Sequence, residues 1–347
     1  MRVLVTGAAG FIGSAITDLL RKHGHEVVAV DVLLDRAHTR RPDWVGSGLQ
    51  ITDVRDESAL TALLKGVDAV CHQAAMVGLG MTIHDAPDYA SHNVVGTASV
   101  VSAMARAGVT GLVQASSMVV YGSGRQLCPE HGDVKPRPRS AADLAEGRFE
   151  PRCPRCAAEV SWGLVDEEAH LDPRNAYAAS KLAQEHLATA WTEQAGGWAV
   201  SLRYHNVYGA RMPRNTPYAG VASIFRSALA AGTPPTVYED GGQMRDFVDV
   251  RDVARANLAA LESLGTAGPG HRVFNVASGE PHSVLDLAVA LARATGGPDP
   301  VVVGGGRPGD VRHIVADPSR IRGELGFAAE VAFEDGMREF AAAPMRP

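Results

Sequence analysis

Two side chains four residues apart, Tyr177 and Lys181 in "NAYAASKLAQEHLATAWTEQ", are the first in this sequence whose types and spacing suit chemistry. A separation of four puts both on one face of a helix. With seven tyrosines and only four lysines in the chain, a Tyr-x-x-x-Lys pair is expected by chance only about 0.08 times. A tyrosine with its ordinary pKa near ~10 is a poor base at neutral pH. A neighbouring ammonium favours the phenolate and would draw that pKa toward working pH, which would make Tyr177 a proton acceptor and donor. The competing reading is a surface helix carrying an incidental pair.

A second constellation sits at the start of the chain. "TGAAGFIG" places Gly7, Gly10 and Gly13 between the apolar run "RVLVT" and an amphipathic segment through "SAITDLLRKHG". The first glycine permits a tight turn, and the second lets backbone approach a pyrophosphate at a helix N-terminus. The third lets helix and strand pack closely, and Phe11 and Ile12 open the helix beside them. Asp31 ends a second strand, "EVVAVD". It would accept hydrogen bonds from adenosine ribose hydroxyls and repel a 2′-phosphate, which favours NAD over NADP; Arg36 nearby would soften that preference. The positive nicotinamide of NAD would act on Tyr177 in the same direction as Lys181. Asp53 and Val54, ending a third strand, are placed to meet the adenine edge, with a helix-capping turn as the other reading of Asp53.

The third constellation is metal-like. Cys128 and His131 lie in "CPEHG", and Cys153 and Cys156 in "CPRC", so three of the four cysteines fall in two short turns. Such turns converge thiolates on one ion, and two of them close a Cys₃His shell with no open position, which points to structural zinc. The alternatives are unmetallated cysteines in a surface loop, or a different fourth ligand in place of His131. Prolines 129, 136, 138, 151 and 154 exclude a long helix across residues 123–172. A connection this long is usually functional or separately stabilised, and zinc would supply the order that a small core cannot.

The elements that must position these groups alternate along the chain. "DAVCHQAA" and "GLVQASS" read as further buried strands, "YASHNVVGTASVVSAMARAG" as a long helix with Asn93 facing inward or functional, and "WAVSLRYHNVYG" as the strand closing the alternation. This is a Rossmann-type, doubly wound parallel sheet. Residues 1–205 form the dinucleotide-binding domain and 206–347 a smaller mixed α/β substrate lobe, with 240–260 returning to the large domain and 123–172 as an insert. The chain has 347 residues, 46% of them hydrophobic, and a net charge of −6. No basic footprint suggests nucleic acid, and no apolar run reaches the ~18 residues of a membrane span. "MRVLVTG" starts directly as a strand without a secretory leader, and four cysteines in so long a chain do not make a disulfide scaffold. A reduced, cytoplasmic protein is expected.

The glycine motif, "HQAA" after a strand, "SSMVVYG", "YAASK", "LRYHNVYG", "RDFVDVRDVA" and "RPGD…ADPSR" occur in order over nearly the whole chain apart from the insert. In this the chain resembles the extended short-chain dehydrogenase/reductases that act on nucleotide sugars. The resemblance implies a homodimer packed through helices near residues 90–106 and 176–194. It makes Ser117 the hydroxyl that hydrogen-bonds the reacting oxygen, Tyr177 the acid/base, and Lys181 the holder of the nicotinamide ribose. It lines the cofactor with Ala74, Ala75, Asn93 and His205, the last standing where relatives often carry phenylalanine. It gives Asn206, Arg245, Arg307 and Asp310 to the nucleotide diphosphate of the substrate, a task that suits the arginine fork; surface salt bridges are the other reading of the two arginines.

The resemblance also bears on the reaction. The family's sugar-nucleotide 4,6-dehydratases place an Asp-Glu pair directly after the Ser/Thr, where this chain has Met118 and Val119. Neither can move a proton, which leaves hydride transfer with one tyrosine, and C4 epimerisation through a 4-keto sugar is its simplest form. "AAMVGLGMTIHDAPDYASHNVVGTA" and the proline-rich insert look most similar to a dTDP-L-rhamnose 4-epimerase group, with UDP-glucose and UDP-glucuronate 4-epimerases sharing the core motifs. A nucleotide-sugar reductase and a non-catalytic redox or zinc sensor on the same fold are the remaining classes. Asp31 stands against the first, and the intact Ser117, Tyr177 and Lys181 against the second.

Overall fold

The computed structural model describes residues 1–347 except 36, 39–40, 43–45, 47, 79–82, 215–219, 267, 307–309 and 347. Continuous apolar runs become strands covered on both faces: all seven residues of Gly111–Ser117 are buried. Seven parallel strands lie in the order Gly270–Val276, Trp198–Tyr204, Gly111–Ser117, Ala69–His72, Arg2–Thr6, Glu26–Asp31, Gln50–Ile51. Ile16, Leu20, Leu258 and Leu261 pack on one face of this sheet, and Leu60, Leu64, Val100, Met104 and Trp191 on the other. The chain winds outward in both directions from Arg2–Thr6, so a crevice opens beyond the strand ends where the winding reverses.

The segment read as one long helix is three: Ala86–Tyr89, a π-helical stretch Ala90–Val95, and Gly96–Ala107. The widened turn holds Asn93, which is fully buried. Its Oδ1 accepts from Met76 N at 2.7 Å, and its Nδ2 donates to Met76 O at 3.0 Å and Ser180 Oγ at 2.9 Å. A π-turn has no period that a hydrophobic pattern could reveal.

Residues 240–260 divide between the two parts. Met244–Asp249 pairs with Asn206–Tyr208 and Pro281–Ser283 in a lobe sheet. It is the helix Val250–Glu262, packed against Phe11–Lys22, and the strand Gly270–Val276, beside Trp198–Tyr204, that belong to the main sheet and its cover. The lobe closes around Phe225, Phe247, Leu291, Met337 and Phe340. The insert contributes Arg125–Cys128, Gly132–Val134 and Ser161–Val165 to a four-stranded sheet completed by Val315–Ala316, with one short helix, Ala141–Ala145. Among the described residues no helix is long and apolar enough to cross a membrane.

Candidate active site

The glycine turn is built as its spacing requires. Gly7 has φ +65°, and a Cβ there would sit 2.8 Å from Ala74 N; a Cβ on Gly13 would sit 2.1 Å from the Gly7 carbonyl oxygen. Gly10 is the residue before the helix Phe11–Lys22, whose first amides point at the crevice. These three glycines, with Phe11 and Ile12, line a cleft of about 380 Å³. Asp31 stands on the same wall, 9% exposed. Its Oδ2 accepts from Ala9 N at 3.0 Å and its Oδ1 from Leu33 N at 2.8 Å, which orients the carboxylate toward the cleft.

Asp53, Val54, Ala74, Ala75 and His205 line the cleft as well. Asp53 is not the helix cap. Asp56 fills that position, accepting from Ala59 N at 2.9 Å. The Asp53 carboxylate is instead gripped by Arg55, at 2.5 Å from Nη2, and that hydrogen bond holds its pKa below the usual carboxylate range. Asn93 lies behind the wall: it fixes Met76, itself a cleft residue, through the bonds described above. His205 is 4% exposed, with the Asn275 side chain as the polar group against its ring. Burial lowers its pKa to about 3, so the ring is neutral.

At the other end of the cleft the helix Ala176–Ala195 begins at Asn175, whose Oδ1 caps Ala178 N at 2.8 Å. Tyr177 and Lys181, one turn apart, both face the cleft. Ser117, at the end of its strand, stands close enough to the Tyr177 hydroxyl to favour its ionised form, and the Tyr89 ring lies 5.7 Å from that of Tyr177. Lys181 Nζ donates to Ala115 O at 2.9 Å. The electrostatics differ from the expectation that Lys181 draws Tyr177 downward. Burial pushes Tyr177 up to about 12, against the lowering effect of Ser117, and burial lowers Lys181 to about 7, which Glu185 partly offsets. In the protein alone desolvation outweighs the pair, so Tyr177 is a neutral phenol.

The four residues assigned to the nucleotide diphosphate are dispersed. Asn206 lines the cleft, with a buried Oδ1 that has no partner. Arg245 does not present a free fork: its Nη1 donates to Met244 O at 2.8 Å and Arg312 O at 2.9 Å, and its Nη2 to Val311 O at 2.6 Å. It braces the segment that follows Asp310, which is exposed. Arg307 lies outside the described residues, as does Arg36. The insert grips the same segment. Glu150 pairs with Arg312 at 2.7 Å and His313 at 2.8 Å, and Arg139 pairs with Glu239 at 2.8 Å and donates to Asp310 O at 2.9 Å. Tyr204 and Phe247, which lie inside "LRYHNVYG" and "RDFVDVRDVA" without a role assigned there, also line the cleft, as do His38 and Arg346, which no motif or spacing marks in the sequence.

The Cys128, His131, Cys153 and Cys156 ligand atoms all lie within 4.8 Å of one another. Cys128 Sγ is 3.6 Å from Cys156 Sγ and 3.5 Å from His131 Nδ1, and Cys153 Sγ is 3.6 Å from that nitrogen. A tetrahedral zinc shell with ordinary bond lengths needs about 3.8 Å between sulfurs and about 3.5 Å from sulfur to nitrogen. These three separations match such a shell, and the others stay within 4.8 Å. The two turns are also copies of each other in backbone: the residue after the second ligand is left-handed in both, Gly132 at φ +64° and Ala157 at φ +60°. Arg155 N approaches Cys153 Sγ at 3.4 Å. The left-handed region costs a non-glycine residue about 1–2 kcal/mol, and glycine returns part of that gain through the unfolded chain. Ala157→Gly is therefore expected to stabilise the insert by up to about 1 kcal/mol, read as slower limited proteolysis of residues 123–172. Faster cleavage would show that Ala157 is not strained.

The sequence matches the NAD dependent epimerase/dehydratase family over residues 3–145 and 160–277. The unmatched stretch between them carries Cys153 and Cys156 but not Cys128 or His131. The dTDP-L-rhamnose 4-epimerase of Burkholderia thailandensis is 32% identical, covering 97% of this chain and 93% of its own. The UDP-glucose 4-epimerase of Mycolicibacterium smegmatis is 33% identical, covering 97% and 96%. The crystal structure of Thermus thermophilus UDP-glucose 4-epimerase in complex with NAD superposes with a TM-score of 0.77 at 30% identity, covering 99% of this chain and 98% of that one. Together with the glycine turn, Asp31 and the Tyr177–Lys181 helix on one cleft, this places the chain in the NAD-dependent epimerase/dehydratase family.

Proposed function

We propose that this protein is an NAD-dependent nucleotide-sugar 4-epimerase working through a transient 4-keto sugar, with dTDP-L-rhamnose its best-supported substrate. The observation that carries the reading is the Tyr177 hydroxyl against Ser117, in one cleft with the glycine turn, followed in sequence by Met118 and Val119, which cannot move a proton. Water elimination lacks its acid and base there. The cradle fits the dinucleotide: Gly7 and Gly13 leave no room for a Cβ, and Asp31 is aimed by two backbone amides. Bound NAD supplies the acceptor and donor of the hydride. Tyr177 takes the proton from the sugar 4-hydroxyl and returns it on the opposite course. Ser117 donates to the same oxygen. Lys181 holds the nicotinamide ribose, and with the cofactor's positive ring present the two charges together lower Tyr177 toward neutrality.

Asn206 offers its free Oδ1 to the substrate; Arg307 and Asp310 belong to the diphosphate end, with Arg245 fixing the backbone beside them. Cys128, His131, Cys153 and Cys156 hold a structural zinc, closed to water and substrate. The helices Gly96–Ala107 and Ala176–Ala195 carry the homodimer contact, and the protein works in the cytoplasm. UDP-glucose or UDP-glucuronate is the second substrate reading, the former favoured by the Mycolicibacterium smegmatis UDP-glucose 4-epimerase at 33% identity; the chemistry at Tyr177 is the same.

The test is product identification by NMR after incubating the purified protein with dTDP-L-rhamnose, UDP-glucose and UDP-glucuronate, with no cofactor added. The C4 epimer is expected from at least one of them, fastest from dTDP-L-rhamnose, without net oxidant. A stoichiometric requirement for NADPH would move the protein to the reductases, and no product from any of the three would refute the reading.

A further inference from the structure

Residues 344–346 run along the loop that closes one side of the cofactor cleft. Arg211 N donates to Pro344 O at 2.8 Å, Arg346 N to Met212 O at 3.0 Å, and Arg214 N to Arg346 O at 2.8 Å. Arg346 thereby forms a parallel bridge with Pro213. In such an extended segment successive side chains point to opposite sides. Met345 enters the lobe core beside Met212 and Phe225, and Arg346 turns into the cleft, among the residues that line it with Asp31 and His38.

Arg346 is 9% exposed. Its Nε and Nη1 are buried without a hydrogen-bond partner, and among the described residues no carboxylate pairs with it. Among the described residues the carboxylate that acts on it is Asp31, whose oxygens already accept from Ala9 and Leu33 amides. A buried guanidinium without a paired anion is costly. Burial alone works against its charge, and Asp31 offsets that only in part. The cleft it faces is shaped for a dinucleotide, by the glycine turn and the helix start at Phe11, and a dinucleotide brings a diphosphate.

We propose that Arg346 completes the cofactor site: its guanidinium pairs with a phosphate oxygen of the dinucleotide's diphosphate, and residues 344–346 act as a strap that retains the cofactor between turnovers. The inference rests on the cofactor reading of the cleft. It gives a physical role to a cation that has no carboxylate partner among the described residues. It also suits an enzyme that must keep its cofactor until hydride returns.

The test compares wild type with Arg346→Ala and Arg346→Lys, each stripped of nucleotide and titrated with NADH by its fluorescence, and separately with NADPH. Charged hydrogen bonds of this kind are worth about 10- to 100-fold in affinity. Arg346→Ala is expected to weaken NADH binding by that factor and to carry less nucleotide when purified. Arg346→Lys should recover part of the loss, since it keeps the charge without the fork. The melting temperature of the nucleotide-free variant should equal or exceed that of wild type, because an unpaired buried charge has gone. NADH affinities within twofold of each other would overturn the proposal. So would a loss confined to NADPH, which would put the contact on a 2′-phosphate, or a melting point already lowered in the nucleotide-free state, which would make Arg346 structural. Wild type failing to bind NADH at all would instead refute the cofactor reading itself.

Discussion

Replacing Tyr177 with phenylalanine is expected to lower turnover by ~10²- to 10⁴-fold, the usual contribution of a general acid/base, with the fold and the bound nucleotide intact. Phenylalanine keeps the ring that packs 5.7 Å from Tyr89 and loses only the hydroxyl. The lost polar contact with Ser117 is worth at most about 1 kcal/mol, a small change in melting temperature. The loss should be in rate because nothing else in the cleft can replace the proton acceptor. Lys181 is pinned on Ala115 O at 2.9 Å, Met118 and Val119 carry no acid, and His205 is neutral and buried with its pKa lowered to about 3. Turnover is measured on whichever sugar nucleotide the wild type converts, and nucleotide content on the same preparation. A fall of less than tenfold would take Tyr177 out of the role.

What was legible in the sequence is what local geometry dictates. Gly13 had to be glycine because the helix passes so close to the turn that a Cβ would lie 2.1 Å from a carbonyl oxygen. Tyr177 and Lys181 had to share a face because a helix repeats every 3.6 residues. The helix Val284–Thr295 begins where Ser283 and Asp286 form a reciprocal capping box, and it follows the run "SVLDLAVALARATG" closely. What was not legible depends on contacts between distant segments. The π-turn that buries Asn93 is set by Met76 and Ser180, seventeen and eighty-seven residues away. Arg245 reads as a phosphate fork in its motif, but three carbonyls of neighbouring backbone occupy its guanidinium. "WAVSLRYHNVYG" reads as one strand and is two. At His205, whose amide bonds Val276 O, the chain leaves the central sheet, and Asn206–Tyr208 joins the lobe. The pKa of Tyr177 in the protein alone escapes the sequence for the same reason: spacing supplies the neighbouring charge, whereas burial, the larger effect without the cofactor, is a property of the assembled cleft.

Elemental analysis is expected to find about one zinc per chain, and Cys153→Ser is expected to lose it and open the insert to protease. Beside the knuckles the insert has only a small apolar cluster. Its buried cluster is Cys128, Cys153 and Val160, with Val134 and Cys156 against them, so three of the five apolar members are themselves ligands. Structural zinc binds small knuckles with apparent free energies of about 10–16 kcal/mol at neutral pH, which becomes folding free energy where no core exists. The consequence should reach the sugar end of the cleft and stop short of the cofactor end. Glu150 and Arg139, on the insert, hold Arg312, His313 and the Asp310 carbonyl, and Arg245 braces that same segment. Among the described residues no comparable contact ties the insert to the glycine turn or Asp31. Cys153→Ser should therefore raise KM for the nucleotide sugar while NADH affinity stays within about twofold. Chelation of the wild type with a strong zinc chelator should reproduce both effects. A metal-free protein whose insert resists protease as well as wild type would overturn the zinc assignment. Equal losses of sugar and NADH binding would show instead that the insert supports the whole fold rather than one wall of the cleft.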